Sequence, residues 1–268
     1  MKALDFFAKN AVFSHEEFAT SLAGAGDRSP RTVDSVLAYH VRAGHVLRVR
    51  RGLYVSVPRG ADPRKHPVDP YLVAGRMTAD SVLAYHTALE FHGKAYSVHK
   101  QFVFLTSLAP RPLTFRGHRF RPIPPPKALR DTGNEAVGVT TAERAAVPLK
   151  VTSLERTLVD VLDRHDLAGG WEEAWRSLEM VEYFDLEQVV AYALLLGNAT
   201  TTATVGLFLE QHREALMVDE KVLKRLRSRR PRQPHYLERK KKEPSRLVAA
   251  WNLVVPERVL ARAWEEPA

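Results

Sequence analysis

The stretch SPRTVDSVLAYHVRAGHVLRVRRGLYVSV, residues 29–57, decides how this chain reads. Ser29 offers a capping hydroxyl and Pro30 takes the first helical position. Val33, Val36, Leu37 and Val41 follow at helical spacing, and Gly44 stops the helix. Two β-rich runs, 46–49 and 53–57, flank Arg50-Arg51-Gly52 and predict a hairpin. Upstream, Leu4, Phe6 and Phe7 predict a short helix, with Val12 and Phe13 as its exit. Ser14 and Glu17 stand at capping-box spacing and open a second helix, continued by Phe18 and Leu22 and ended by Gly24 and Gly26.

Three helices and a two-stranded hairpin form the order of a winged helix-turn-helix. With the valines and Leu37 turned inward, the third helix presents Arg31, Thr32, Ser35, Tyr39 and Arg42 outward. Arginine forks onto guanine edges, and hydroxyls bond bases or phosphates. Arg28 and Ser29 at the helix N-terminus suit a phosphate, and Arg48, Arg50 and Arg51 arm the hairpin tip. The competing reading is a small helical domain with an arginine-rich surface. RNA is a weaker partner, because its narrow major groove excludes a reading helix.

Charge favours the nucleic-acid reading. The chain has 268 residues, 40 Lys+Arg against 31 Asp+Glu, and a formal net charge of +9. Residues 28–59 hold seven arginines and one acid, Asp34, and residues 221–246 hold twelve basic residues and two acids, so the remainder is net acidic. Two concentrated basic blocks on an acidic protein predict a polyanionic partner. The second block comprises Lys221, Lys224, Arg225, Arg227, Arg229, Arg230, Arg232, Arg239, Lys240, Lys241 and Lys242. It reads equally as a second interaction surface or as a basic loop. The absence of cysteine excludes disulfides, thiolate metal sites and cysteine nucleophiles. No run of eighteen apolar residues and no signal-peptide pattern occur, so a soluble cytoplasmic protein is expected.

Beyond residue 60 the chain reads as a linker, 61–70, and a larger domain, 71–268. Helices are expected at 71–75 and 80–92, a strand at 101–105, a hairpin over 113–120, and short strands at 137–140 and 149–152. From Ser153 the pattern is helical: 154–162, 171–181, 186–196, 204–216 and 221–228, before a basic loop and a strand-like 251–256. The fold class is therefore α+β, a winged helix-turn-helix followed by a mixed domain with an antiparallel sheet and a helical C-terminal half. The heptapeptide DSVLAYH recurs at 34–40 and 80–86, which suggests two helices with similar packing faces.

Enzyme patterns are sparse. No Walker A loop, Gly-x-Ser-x-Gly or His-Glu-x-x-His occurs. His86, Glu90 and His92 suggest a metal site, but Glu90 and His92 face different sides of a helix, so no metal or other cofactor is expected. Asp160, Asp163 and Asp166 read as a solvated helix end, although paired carboxylates also suit Mg²⁺. Asp219, Glu238 and Lys240 echo a metal-dependent nuclease, the alternative from another class. A third alternative is a basic module that neutralises an acidic protein partner.

Four motifs in order carry a resemblance: Arg50-Arg51-Gly52-Leu53-Tyr54, VLAYHTALEFHG at 82–93, VTSLERTLVD at 151–160, and WNLVVP at 251–256. With the N-terminal helices they are similar to the AbiEi family, antitoxins of type IV abortive-infection toxin–antitoxin systems. The resemblance implies a winged helix that binds promoter inverted repeats and represses its own operon. It implies a C-terminal domain that counters a nucleotidyltransferase-like toxin without requiring a stable complex. It assigns reading to Arg31, Thr32, Ser35 and Arg42, the wing to Arg48, Arg50 and Arg51, and the basic C-terminal face to residues 221–242.

Overall fold

The computed structural model describes residues 3–23, 30–238, 243–262 and 264, without the side chains of Pro30 and Arg31. The chain begins α1 (Ala3–Lys9), β1 (Val12–Ser14), α2 (His15–Ala23), α3 (Pro30–Arg42), β2 (Val46–Arg50) and β3 (Leu53–Ser56). The capping box at α2 forms: the Glu17 amide donates to Ser14 Oγ at 3.1 Å, and the Ser14 amide to Glu17 Oε2 at 2.7 Å. Gly52 turns the hairpin at φ +81°, where a side chain would be strained. Val12 and Phe13, read as a helix exit, form β1 instead. Val12 pairs with Val55 of β3, giving a three-stranded sheet in the order β1-β3-β2. The unpaired edge of the hairpin recruits these residues, a long-range gain that local periodicity does not register. Phe6, Phe7, Phe13, Phe18 and Tyr54 pack with Val33 and Leu37 into an aromatic core.

The next elements are α4 (Pro70–Gly75), β4 (Val82–Leu83), α5 (His86–Phe91), β5 (Gln101–Leu105), β6 (Leu113–Phe115), β7 (His118–Ile123), α6 (Lys127–Thr132), β8 (Val139–Arg144) and β9 (Val147–Thr152). They form a six-stranded sheet in the order β6-β7-β5-β4-β9-β8. The sheet is mixed rather than antiparallel, because β5 runs parallel to β7 and β4 parallel to β9. The intervening chain is long enough for the crossovers that parallel pairing needs. The expected helix over 80–92 is also corrected: 82–83 is a strand, and the helix starts at His86. Apolar clusters cover both sheet faces: along β5, Phe102 and Phe104 enter one, Val103 and Leu105 the other.

The remaining helices are α7 (Leu154–Asp163), α8 (Trp171–Glu179), α9 (Leu186–Leu195), α10 (Ala199–Gln211) and α11 (Glu220–Arg227), each with buried residues in the main core. Ser153, Asp185, Asn198 and Asp219 cap α7, α9, α10 and α11 with their side chains. Helix α10 begins directly after Asn198, five residues earlier than its β-branched run suggests. Thr202 and Thr204 satisfy their hydroxyls on the carbonyls of Asn198 and Thr200 within the helix. The end of α7 is not a row of solvated acids. Asp160 is buried against Arg156 at 3.2 Å and accepts from Tyr192 at 2.7 Å. Burial raises its pKa, against the opposing pull of Arg156. The basic loop contains β10 (His235–Tyr236), which joins β11 (Ser245–Val248) and β12 (Leu253–Pro256) in a third sheet, followed by α12 (Glu257–Ala261). Among the described residues, no helix is long and apolar enough to cross a membrane.

Candidate nucleic-acid interface

Helix α3 buries Val33, Leu37 and His40 and leaves Thr32, Ser35, Tyr39 and Arg42 exposed, Tyr39 by 58%. The face expected to point outward does so. Arg28 and Ser29 lie outside the described residues, as does the side chain of Arg31. Asp34 Oδ1 stands 2.9 Å from His15 Nε2, which ties α3 to α2.

The three hairpin arginines separate. Arg48 and Arg51 are exposed, and neither forms an ion pair among the described residues, nor does Arg42. Arg50 is half-buried, and its guanidinium donates to the Met77 carbonyl in the turn after α4. One of the hairpin's three cations thus fastens it to the larger domain. Val49, Leu53 and Val55 cover the other sheet face together with Leu72, Met77 and Leu83. Arg76, which no sequence motif singled out, reinforces the same junction by donating to the Val12 carbonyl at 3.1 Å and to Glu17 at 2.8 Å.

Between the two parts runs an open cleft of about 1740 Å³, lined by His15, Asp34, Ala38, Arg42, Arg48, Arg50, Arg51, Arg76 and Lys150, among others. Lys150 is exposed on β9, about a hundred residues from the hairpin in sequence. No local signal in the sequence associates it with the arginines. Cations predominate, since five arginines and Lys150 line the cleft against Glu16, Glu17 and Asp34, and Glu17 is paired with Arg76. Tyr39, Thr32 and Ser35 are not part of the cleft wall, so α3 shows one side to the cleft and another to open solvent.

The second basic block is partly neutralised. Arg225 pairs with Glu187 at 2.5 Å, and Arg227 with Glu210 at 2.6 Å and Glu220 at 2.5 Å while lying over Trp251. Lys221, Lys224, Arg229, Arg230 and Arg232 are exposed and outside any ion pair among the described residues. Arg239, Lys240, Lys241 and Lys242 lie outside the described residues. The nuclease constellation does not assemble from the described residues. Asp219 caps α11 through the Lys221 amide, and Glu238 pairs with Arg258 at 3.1 Å.

The residues able to hold a metal lie elsewhere. His92 turns away to the Thr152 carbonyl at 2.8 Å. His86 instead meets His99 and Glu173, whose ligand atoms and its own lie within 4.8 Å of one another. His86 Nε2 is 3.0 Å from Glu173 Oε1, and its ring stacks on His99 with centroids 3.6 Å apart. Burial alone would raise the Glu173 carboxyl. Hydrogen bonds from His86 and Ser97 outweigh it and hold the pKa at about 2.

No family model and no curated protein matches the sequence. Among solved structures, the fold is similar to the crystal structure of the RV2827C protein from Mycobacterium tuberculosis. The TM-score is 0.62 at 19% identity, covering 97% of this chain and 92% of that one. At that identity the likeness concerns the fold alone.

Proposed function

We propose that this protein is a sequence-specific, double-stranded DNA-binding transcriptional repressor. Residues 1–60 act as a winged helix-turn-helix, with α3 as the reading helix and the β2–β3 hairpin as the wing. One observation carries the reading. Thr32, Ser35, Tyr39 and Arg42 are exposed on α3, and Arg42 shares the cleft wall with Arg48 and Arg51, none of which pairs with an acid among the described residues. Such a face offers donors to base edges and cations to phosphates. Lys150 extends the basic surface onto the larger domain. The wider identity is that of a cytoplasmic type IV antitoxin countering a nucleotidyltransferase-like toxin. It rests on the ordered motifs that resemble the AbiEi family. The exposed cations Lys221, Lys224, Arg229, Arg230 and Arg232 are the surface assigned to that second task.

Fluorescence anisotropy of the full chain with a duplex of its own upstream sequence tests the DNA reading. Six phosphate contacts give a log–log salt slope of about −5, and replacing Arg48 and Arg51 together by Ala reduces the slope by about 2. Arg42→Ala costs about 1–3 kcal/mol on the preferred sequence and far less on an unrelated one. A flat salt response, or variants that bind like the parent, overturns the reading. Plasmid incubated with the protein and Mg²⁺ is expected to be shifted and uncut.

A further inference from the structure

We propose that His86, His99 and Glu173 form a binding site for a divalent transition-metal ion of the zinc type. The site is independent of DNA binding. It joins the start of α5, the loop between α5 and β5, and α8.

Charge is the first argument. The side chains of His86, Glu90 and Glu173 are 1%, 3% and 10% exposed, and His86 is the ion-pair partner of both carboxylates. Among the described residues, no lysine or arginine pairs with either acid. Two acidic side chains gathered almost out of water without a lysine or arginine partner are costly unless a cation meets them. A divalent cation supplies the missing charge.

Geometry is the second argument. Donors 2.0–2.1 Å from a tetrahedral ion stand about 3.4 Å apart, so donors already within 4.8 Å need to close by about an ångström. The surroundings resemble an outer coordination shell. A metal-bound histidine donates its other ring N–H to a carboxylate. With Nε2 toward Glu173, His86 Nδ1 points at Glu90 Oε1, 3.6 Å away, and has no hydrogen-bond partner among the described residues. Glu90 is anchored by the Tyr71 hydroxyl at 3.0 Å and the His99 amide at 2.5 Å. Glu173 is anchored by the Ser97 amide at 3.0 Å, the Ser97 hydroxyl at 2.6 Å and the Ser177 hydroxyl at 3.1 Å. Both acids are thus fixed before any ion arrives.

His99 is the adjustable member. Its ring lies within 9° of parallel to that of His86, so its lone pair must tilt inward to share an ion. It is half-exposed and sits in a loop, which permits the tilt. Gly169, at φ +88°, leaves space for it, since a Cβ there would stand 2.7 Å from His99 Cε1. Two imidazoles and one carboxylate match zinc better than magnesium or calcium, which take oxygen shells.

The test uses tag-free, full-length protein stripped with EDTA, then titrated with ZnCl₂ by calorimetry and melted with and without zinc. One zinc per chain is expected, with a higher melting temperature. His99→Ala and Glu173→Gln should each weaken binding by more than the roughly 10–100-fold that loss of an outer-shell partner costs, and should abolish the melting shift. His99→Ala carries the test if Glu173→Gln fails to fold. Co²⁺ should give the visible bands of a tetrahedral site in the parent and lose them in His99→Ala. Absence of one-to-one binding, or binding unchanged by His99→Ala, overturns the proposal and leaves the contacts of His86 with Glu90 and Glu173 as a purely structural arrangement.

Discussion

The heptapeptide Asp-Ser-Val-Leu-Ala-Tyr-His folds in two ways in this molecule. At 34–40 it is the middle of α3, with Tyr39 58% exposed and Val36 and Leu37 both turned to the aromatic core. At 80–86 it is a turn, the strand β4 and the first residue of α5, and Tyr85 is 3% exposed. There Val82 packs toward one core while Leu83 belongs to the other. The first copy has one apolar surface to satisfy, so the helical period serves it. The second lies between β5 and β9 with cores on both sides, so only the period of a strand buries both side chains. Ser81 helps, accepting from the Thr78 amide at 2.8 Å and so fixing the turn before the strand. Tyr85 then takes φ +56°, a conformation of limited stability outside glycine that surrounding packing must enforce. Seven identical residues therefore do not dictate their own conformation.

Substituting equivalent positions sharpens this contrast. The largest difference is expected at the tyrosines. Tyr85→Ala empties a buried site and should cost about 3–5 kcal/mol in urea unfolding, whereas Tyr39→Ala should change stability by less than about 0.5 kcal/mol. Equal losses would refute the packing account. On the proposed DNA-binding reading the order reverses, with Tyr39→Ala the variant expected to lose sequence preference.

The aspartates come next. Asp80 accepts from the Thr106 hydroxyl and the Ser107 amide, both at 2.6 Å. Burial pushes its pKa up, but these hydrogen bonds outweigh that and leave it lowered. A lowered carboxyl stabilises the fold above its unfolded pKa, and that stability is lost as pH falls through the folded value. Asp80→Asn should cost about 1–3 kcal/mol at neutral pH and flatten the acid side of the stability profile below about pH 4. Asp34→Asn, at a surface pair, should leave stability within about 0.5 kcal/mol. A similar loss at both sites would argue against the buried turn.

The smallest effect is expected at His40. Its Nδ1 lies 2.9 Å from His45 Nδ1, a contact in which one ring must offer a lone pair. Burial, and secondarily His45, lowers the His40 pKa. Stability is therefore full above the unfolded value of about 6.5 and declines as pH falls through the lower folded one. The melting temperature should drop between neutral and mildly acidic pH, and less so in His40→Gln. An identical pH profile for that variant would show that His40 contributes nothing to it.

Local signals located most elements outside the second heptapeptide. The capping box at Ser14, the helical pattern from Ser153 and the apolar run along 101–105 act over a few residues, and each is realised. The exposed face of α3 was legible for the same reason, because one buried stripe fixes its opposite. Less of the candidate interface was legible at its junction with the larger domain. Arg50 looks equivalent to Arg48 and Arg51 in the sequence, yet its partner is a carbonyl 27 residues away. The His86, His99 and Glu173 group was not legible because its members come from three separate elements, and the nearer His92 offers a misleading spacing.

The sequence by itself determined the helix stripes, the caps, the hairpin turn and the concentration of charge, all of which depend on neighbours within about one or two turns of chain. Tertiary structure alone decided which copy of the heptapeptide became a strand, that the sheet is mixed, which arginine left the basic surface, and which histidines meet. Those outcomes depend on where apolar surface and buried polar groups find partners across long chain separations, a balance that local spacing does not encode.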